Sequence, residues 1–398
     1  MYNLKKIAPS RRTKKIAYAI RDILCTAEER KRAGGDLIYL NIGDPVLFDF
    51  KTPDHLIEAA YKAMKDGYTG YSASEGVPEA IEAIREDTIK KGIKPYEILI
   101  TTGASEAIDF ALSALVNRGE NVLVPSPGYP LYNALLARLM GEPRAYSLDE
   151  KNGWEPDIDH IESQIDKKTK AIVVINPNNP TGAVYSKEIL QAIIEIARRH
   201  NLVILNDEIY DKLILNGQSH VNMAALDHEV PIVTFNGLSK SYLAPGFRVG
   251  WAIISGVPDL IRDYTEGMKK LARARLCASH PKQFAIPVAL NGTLFHIDST
   301  IEKLKRRRDI TVERLNSIPG ISCQRPNGAF YAFPRLEVDV NDAEFVKDLI
   351  RETGVVVVHG SGFGPLPKSP HFRLVFLPQE EILHKAYDRI EDFMKRRF

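Results

Sequence analysis

Through the middle of the chain, short runs of continuous apolar residues alternate with stretches in which apolar positions recur every three to four residues. The runs at 98–101, 121–124, 171–175, 202–206, 232–235 and 249–254 predict strands covered on both faces, because a half-exposed strand would alternate apolar with polar. Helical periodicity predicts helices over 104–116, 131–139 and 186–200. Strands separated by helices predict an α/β fold, a large domain with a mostly parallel sheet covered by helices on both faces. From about residue 321 the pattern changes: FYAFPRL, VVVVHG and FRLVFL read as strands interleaved with helices over 342–352 and 379–397, a smaller α+β domain. The N-terminal stretch reads as helical over 13–33, has no strand of its own and must pack on something else. The expected division is therefore 1–45 as a segment on the small domain, 46–318 as the large domain and 319–398 as the small C-terminal domain.

Composition narrows the function. The 398 residues are 44% hydrophobic and 26% charged, ordinary for a globular protein. Fifty-three Lys and Arg against 51 Asp and Glu leave a formal charge of +2, so no basic surplus points to nucleic acid or an anionic membrane. No run approaches 18 apolar residues, and the basic N-terminus lacks the apolar core of a secretory signal. Cys25, Cys277 and Cys323 are too few and too scattered for a disulfide framework or a metal knuckle, which suits a reducing cytoplasm.

The strongest chemical signal is Gly237-Leu-Ser-Lys240 with Arg248 and Gly250 beyond it. A lysine directly after the apolar run 232–235 sits at the carboxyl end of a strand, the edge where open α/β sheets bind ligands. Small neighbours let a flat ring approach the ammonium. Burial and a nearby cation would lower its pKa, as a Schiff-base lysine requires. A solvated loop lysine is the alternative for Lys240 taken alone.

The small-x-small-Lys…Arg-x-Gly pattern resembles the signature of the class I (fold type I) pyridoxal-phosphate-dependent aminotransferases. NIGDP, YSASEG, TTGASEA, PSPGYP, NPNNPTG, NDEIYD and FRLVF follow in the family's order across nearly the whole chain. The alanine aminotransferase branch is the most similar, through NPNNPTGAVYSKEIL, DEIYDKLI, FNGLSKSY, GFRVGW and RLCASHP. The resemblance implies pyridoxal 5′-phosphate as cofactor. It also implies a homodimer with shared sites and transfer of an amino group between L-alanine and 2-oxoglutarate by a ping-pong mechanism. Transaminases for aspartate or aromatic donors, and a carbon–sulfur β-lyase on the same fold, are the alternatives; a cofactor-binding regulator would need a further domain.

Each landmark has a physical reading. Gly103, Ala104 and Ser105 lie where a strand turns into a helix, so backbone N–H groups and a hydroxyl face an anion there. Arg248 would complete that phosphate site, with Ser239 and the partner-directed Tyr71 adding donors. The family's more frequent serine three before the lysine is Gly237 here, which removes one hydroxyl. Asp207 would keep the cofactor's pyridine nitrogen protonated, Tyr210 and Asn179 would face its phenolic oxygen, and Tyr129 would stack on the ring. Asp207 and Tyr210 point to opposite faces of a regular strand, so the strand must end or bend at Asp207 and turn Glu208 away. Arg373 matches the family's carboxylate arginine, and Gly43 lets backbone approach the same carboxylate. Tyr18 and Arg21 stand i and i+3 on a helix and resemble a pair that closes over the substrate; a packing tyrosine and a solvated arginine are the alternative. Arg275 falls where a related branch carries the arginine for a distal carboxylate, which implies a reach across the dimer interface toward glutamate's γ-carboxylate; an ion pair with a surface acid is the other reading.

Other motifs carry no function. Ser279-His-Pro-Lys282 matches S-x-x-K without its companion motifs, Gly360-Ser-Gly-Phe-Gly lacks the spacing of a dinucleotide loop, and the ten histidines show no metal-ligand spacing. The basic run Lys305-Arg-Arg-Arg308 reads as the solvated face of a helix.

Overall fold

A computed structural model describes residues 6–16 and 19–398, with the backbone alone for Lys15, Arg21 and Asp22. Eight strands form one sheet in the order Pro95–Thr101, Gly250–Ser255, Ile232–Gly237, Val203–Asp207, Thr169–Ile175, Asn121–Ser126, Glu142–Asp149 and Glu155–Pro156. Gly250–Ser255 runs antiparallel to both its neighbours, and the short Glu155–Pro156 antiparallel to its one partner; the other pairings are parallel. Alternation of side chains covers both faces. Ile98, Ile100, Ile172, Val174 and Ile204 pack on one side with Ile84, Leu190 and Ile193 of the helices Pro78–Lys90 and Lys187–His200. Leu99, Ala171, Val173, Leu205 and Val233 pack on the other with Ala107, Leu136 and Met268 of Ala104–Leu115, Leu131–Leu139 and Pro258–Arg275. The apolar runs are continuous because neither face meets water.

A second cluster joins the chain's two ends. Strand Phe372–Val375 pairs with Tyr331–Ala332 and Val358–His359. Helices Asp342–Thr353 and Glu380–Arg397 bury Phe345, Leu349 and Tyr387 in the same cluster as Leu40, Val356 and Leu374. Among the described residues no helix is long and apolar enough to cross a membrane.

Three expectations need correction. The N-terminal region does own a strand: Ile38–Tyr39 pairs in parallel with Val355–Val356. Its two-residue length leaves no periodic pattern to read. The helix expected over 13–33 is broken into a 3₁₀ turn, Arg11–Lys15, and the helices Ala19–Asp22 and Leu24–Arg32. Within Lys305-Arg-Arg-Arg308, Arg307 and Arg308 are buried rather than solvated. Arg307 holds both carboxylate oxygens of Asp49 at 2.8 Å and the Leu377 carbonyl. Arg308 donates to the Leu215 carbonyl at 2.9 Å. Local charge spacing cannot reveal partners some 250 positions away.

The Arg307–Asp49 pair ties helix Phe295–Asn316 to the segment that precedes helix Asp54–Lys65. Asp49→Ala strands the buried guanidinium and should lower stability by roughly 3 kcal/mol in denaturant unfolding. The Asp49 carboxyl is held below its ordinary value of 3.8: burial opposes ionisation, and hydrogen bonds from Arg307 and Lys303 overcome it. The pair's contribution is thus present above that value and lost as pH falls through the depressed pKa, so the wild-type advantage over the variant should shrink at acid pH.

Candidate active site

The carboxyl ends of the parallel strands face one side, and the loops that leave them surround a cavity of about 500 Å³. Ala104, Ser105, Tyr129, Asn179, Asp207 and Tyr210 line it from the large sheet, with Ser239, Lys240 and Arg248 beside them. Gly43 and Arg373 close it from the cluster of chain ends. Residues expected from seven separate motifs therefore meet in one place.

Asp207 is the last residue of its strand, and its neighbour strand Ile232–Gly237 ends three residues before Lys240. Beyond Asp207 the backbone turns: Glu208 leaves the cavity to accept from the Asn206 amide at 2.8 Å and the Met223 N–H at 3.1 Å, while Tyr210 returns to it. The Asp207 carboxylate accepts from the Tyr132 hydroxyl at 3.3 Å and from the Ile209 N–H at 3.3 Å. Burial pushes this acid up to about 6, against the lowering effect of those hydrogen bonds and of Lys240. Lys240 Nζ donates to the Gly43 carbonyl at 2.6 Å. Burial brings the amine down to about 8; Asp44 opposes this, and the cations Arg373 and Arg248 add to it. Both groups thus sit near neutrality, the range useful for moving protons.

The turn between strand Pro95–Thr101 and helix Ala104–Leu115 forms an anion cradle. Gly103 has φ +77°, and a Cβ there would collide with the Arg248 guanidinium. Arg248 itself adopts φ +53°, a left-handed conformation disfavoured for a side-chain-bearing residue. That turn directs its guanidinium to the Ser239 hydroxyl at 3.4 Å and the Thr102 carbonyl at 3.5 Å, beside the helix N-terminus. On the opposite wall, Arg373 is 1% exposed and donates to the Asn179 side-chain oxygen at 3.1 Å and to the Asn41 carbonyl.

Several residues of the site escape motif reading. Tyr132, in the first turn of helix Leu131–Leu139, reaches Asp207 from three positions after Tyr129. Tyr331 hydrogen-bonds Tyr210 and lies under Arg373, and Ile20 and Asp44 complete the lining. Two expected residues are not brought to this cavity. Tyr71 is 82% exposed on the protomer surface. Within the protomer Arg275 pairs with Glu106 at 3.5 Å, donates to the Ile100 carbonyl at 3.1 Å and covers the Phe110 ring. Packing of helix Pro258–Arg275 on Ala104–Leu115 accounts for it. Tyr18 lies outside the described residues, as does the side chain of Arg21.

A part-buried lysine and a buried aspartate at the carboxyl edge of an α/β sheet, flanked by a helix N-terminus with Arg248 and by a second arginine, suit an enzyme that holds an anionic carbonyl cofactor beside a carboxylate substrate. The sequence profile of the family described as "Aminotransferase class I and II" matches residues 35–390, and this chain belongs to that family. Its members depend on pyridoxal phosphate, and the fold is that of the aspartate aminotransferases. The chain is 40% identical to the alanine aminotransferase of Mycobacterium tuberculosis strain H37Rv over 98% of its own length and 93% of the relative's. It is 37% identical to the glutamate-pyruvate aminotransferase AlaA of Escherichia coli K12, covering 98% of each. Among solved structures, an alanine aminotransferase from Pyrococcus furiosus superposes with a TM-score of 0.95 at 44% identity, over 98% of this chain and all of that one.

The depressed Lys240 pKa is measurable in protein stripped of cofactor. Labelling of Lys240 by an amine-reactive reagent, followed by peptide mapping, should show a pH midpoint near 8 rather than the ordinary 10.5. Arg373→Leu should move that midpoint upward, since removing a cation relieves the protonated amine. A midpoint at the ordinary value in the wild type would contradict the burial assigned here.

Proposed function

We propose that this protein transfers the amino group between L-alanine and 2-oxoglutarate in two half-reactions, as a cytoplasmic homodimer with shared sites. The observation that carries the proposal is the convergence of Lys240, Asp207 and Arg373 on one cavity. The names of the relatives support the alanine and glutamate pair. The cavity fits the cofactor. Gly103 keeps the helix N-terminus open beside Arg248, where a Cβ would fill the cradle, and the buried acid and amine stand at separate positions around it.

When bound, pyridoxal phosphate supplies an aldehyde carbon that takes up amino groups and a ring that draws electrons from the substrate's Cα. The backbone N–H groups of Ala104 and Ser105, with Arg248 and Ser239, would hold its phosphate. Asp207 would keep a proton on the ring nitrogen, Tyr210 and Asn179 would hydrogen-bond its phenolic oxygen, and Tyr129 would cover the ring. Pairing with a protonated ring nitrogen would return Asp207 toward the ordinary carboxylate range. Arg373 would take the substrate carboxylate bidentately, with Asn179 and the Gly43 backbone beside it. Lys240 has two duties. Its amine, neutral above about pH 8, is the nucleophile that anchors the cofactor. With its link to the cofactor released, Lys240 Nζ would take the proton from the substrate's Cα and return it to the carbon that carried the aldehyde.

Exposed Tyr68, Tyr71, Leu276 and Phe295 give the protomer apolar surface that suits a dimer contact. Tyr71 would then reach the partner's phosphate site, and Tyr18 and Arg21 would close over the substrate. The free thiols Cys25, Cys277 and Cys323 agree with a reducing compartment. We divide the chain at 45/46 and 318/319, with Gly43 and Arg373 brought to the large domain's edge by the flanking parts.

Borohydride reduction of the purified enzyme followed by peptide mapping should place the cofactor label on Lys240. In a donor panel with 2-oxoglutarate, alanine should give the highest kcat/KM, and no pyruvate should form without the acceptor beyond one turnover. A label on another lysine would overturn the site. Sustained pyruvate and ammonia release without acceptor would replace transamination by β-elimination, and a preference for aspartate or an aromatic donor would move the substrate assignment.

A further inference from the structure

Tyr331 belongs to none of the residues that the motifs single out, yet it touches three parts of the cavity. Its strand pairs antiparallel with Phe372–Val375, with Tyr331 opposite Val375. Arg373 lies two residues before Val375, so Tyr331 and Arg373 rise diagonally from one face of the sheet, within reach of each other. The guanidinium carbon of Arg373 stands 4.7 Å from the centre of the Tyr331 ring. The Tyr331 hydroxyl is 2.9 Å from that of Tyr210, and the two rings meet edge to face at 89°. A Cβ on Gly43 would collide with the same hydroxyl, so the backbone whose carbonyl holds Lys240 rests against Tyr331. The side chain is buried, which makes each contact a dry one.

We propose that Tyr331 is a positioning residue. It couples the carboxylate-binding Arg373 to the Tyr210 hydroxyl, setting both substrate affinity and the proton affinity of the cofactor-linked Lys240. The inference rests on the aminotransferase reading above. The negative ring face attracts and orients the Arg373 guanidinium, an interaction that desolvation strengthens. The hydroxyl acts separately. When Tyr210 donates to the cofactor's phenolic oxygen, its own oxygen is left to accept, and Tyr331 is the donor at 2.9 Å. A phenol that accepts one hydrogen bond while donating another is the stronger donor. Stronger donation stabilises the ionised phenolic oxygen and so favours the unprotonated Lys240 link.

Two variants separate the two effects in the cofactor-loaded enzyme. Tyr331→Phe keeps the ring and loses the hydroxyl; Tyr331→Leu loses both. The first readout is the pH midpoint of the cofactor's absorbance change, which reports the proton on the lysine link. Tyr331→Phe should raise this midpoint by roughly half a unit or more while leaving KM for alanine within about twofold. Tyr331→Leu should raise the midpoint similarly and also raise KM for alanine about tenfold or more, through loss of the ring beneath Arg373. Thermal unfolding of Tyr331→Phe close to wild type shows that the variant is folded, and that variant carries the test by itself if the leucine variant does not fold. An unmoved absorbance midpoint in Tyr331→Phe would overturn the coupling, as would equal rises in KM for both variants. Absence of any lysine-linked absorbance in the wild type would instead bring down the aminotransferase reading itself.

Discussion

Asp207 and Lys240 are drawn out of water into the same cavity, and the rest of the site depends on that burial. Neighbouring parallel strands fix their relative placement, since Val203–Asp207 pairs with Ile232–Gly237 in a register that sets Asp207 beside Phe235. Burial disfavours charge on each, moving the acid up to about 6 and the amine down to about 8. A carboxylate and an amine poised this close to neutrality would be a liability in a structural core. At the mouth of a sheet they line a cavity that a bound group can enter.

The same constraint explains why both ends of the chain return to the sheet's edge. Gly43, Tyr331 and Arg373 come from segments far apart in sequence, held together by the pairing of Ile38–Tyr39 with Val355–Val356 and of Tyr331–Ala332 with Phe372–Val375. They bring Arg373, a cation that lowers the Lys240 pKa, and the carbonyl that receives the Lys240 amine. The large sheet supplies the acid, the lysine and the turn beside Arg248; the chain ends supply Arg373 and the Gly43 backbone. Neither half makes a complete site.

Much of this was legible in the sequence, for identifiable reasons. Strands covered on both faces leave continuous apolar runs, so the buried strands of the large sheet are readable. Glu142–Asp149 is not, because its exposed residues interrupt the pattern. Cavity-lining side chains sit at or just after strand ends, where Gly, Pro, Asn and Asp mark the chain, and the sequence brings Lys240, Asp207, Asn179 and Ser105 to that one cavity. The bend at Asp207 followed from the need to bring Tyr210 back to the same side. Residues defined by partners in space were missed. Tyr132 looks like any core tyrosine on a helix, Tyr331 like a strand aromatic, and Arg307 like a surface charge. Nothing local announces the pairing of Arg275 with Glu106 either.

The role of Asp207 as the group that keeps the ring nitrogen protonated, with Lys240 as the base, is tested most directly by exchange of alanine's Cα hydrogen with solvent deuterium. Asp207→Asn keeps the side chain's shape and removes its charge. With cofactor still linked to Lys240, exchange should fall by at least about two orders of magnitude, since general-base catalysis needs an acceptor for the electrons it releases. Exchange at the wild-type rate in that variant would show that another group governs the ring nitrogen.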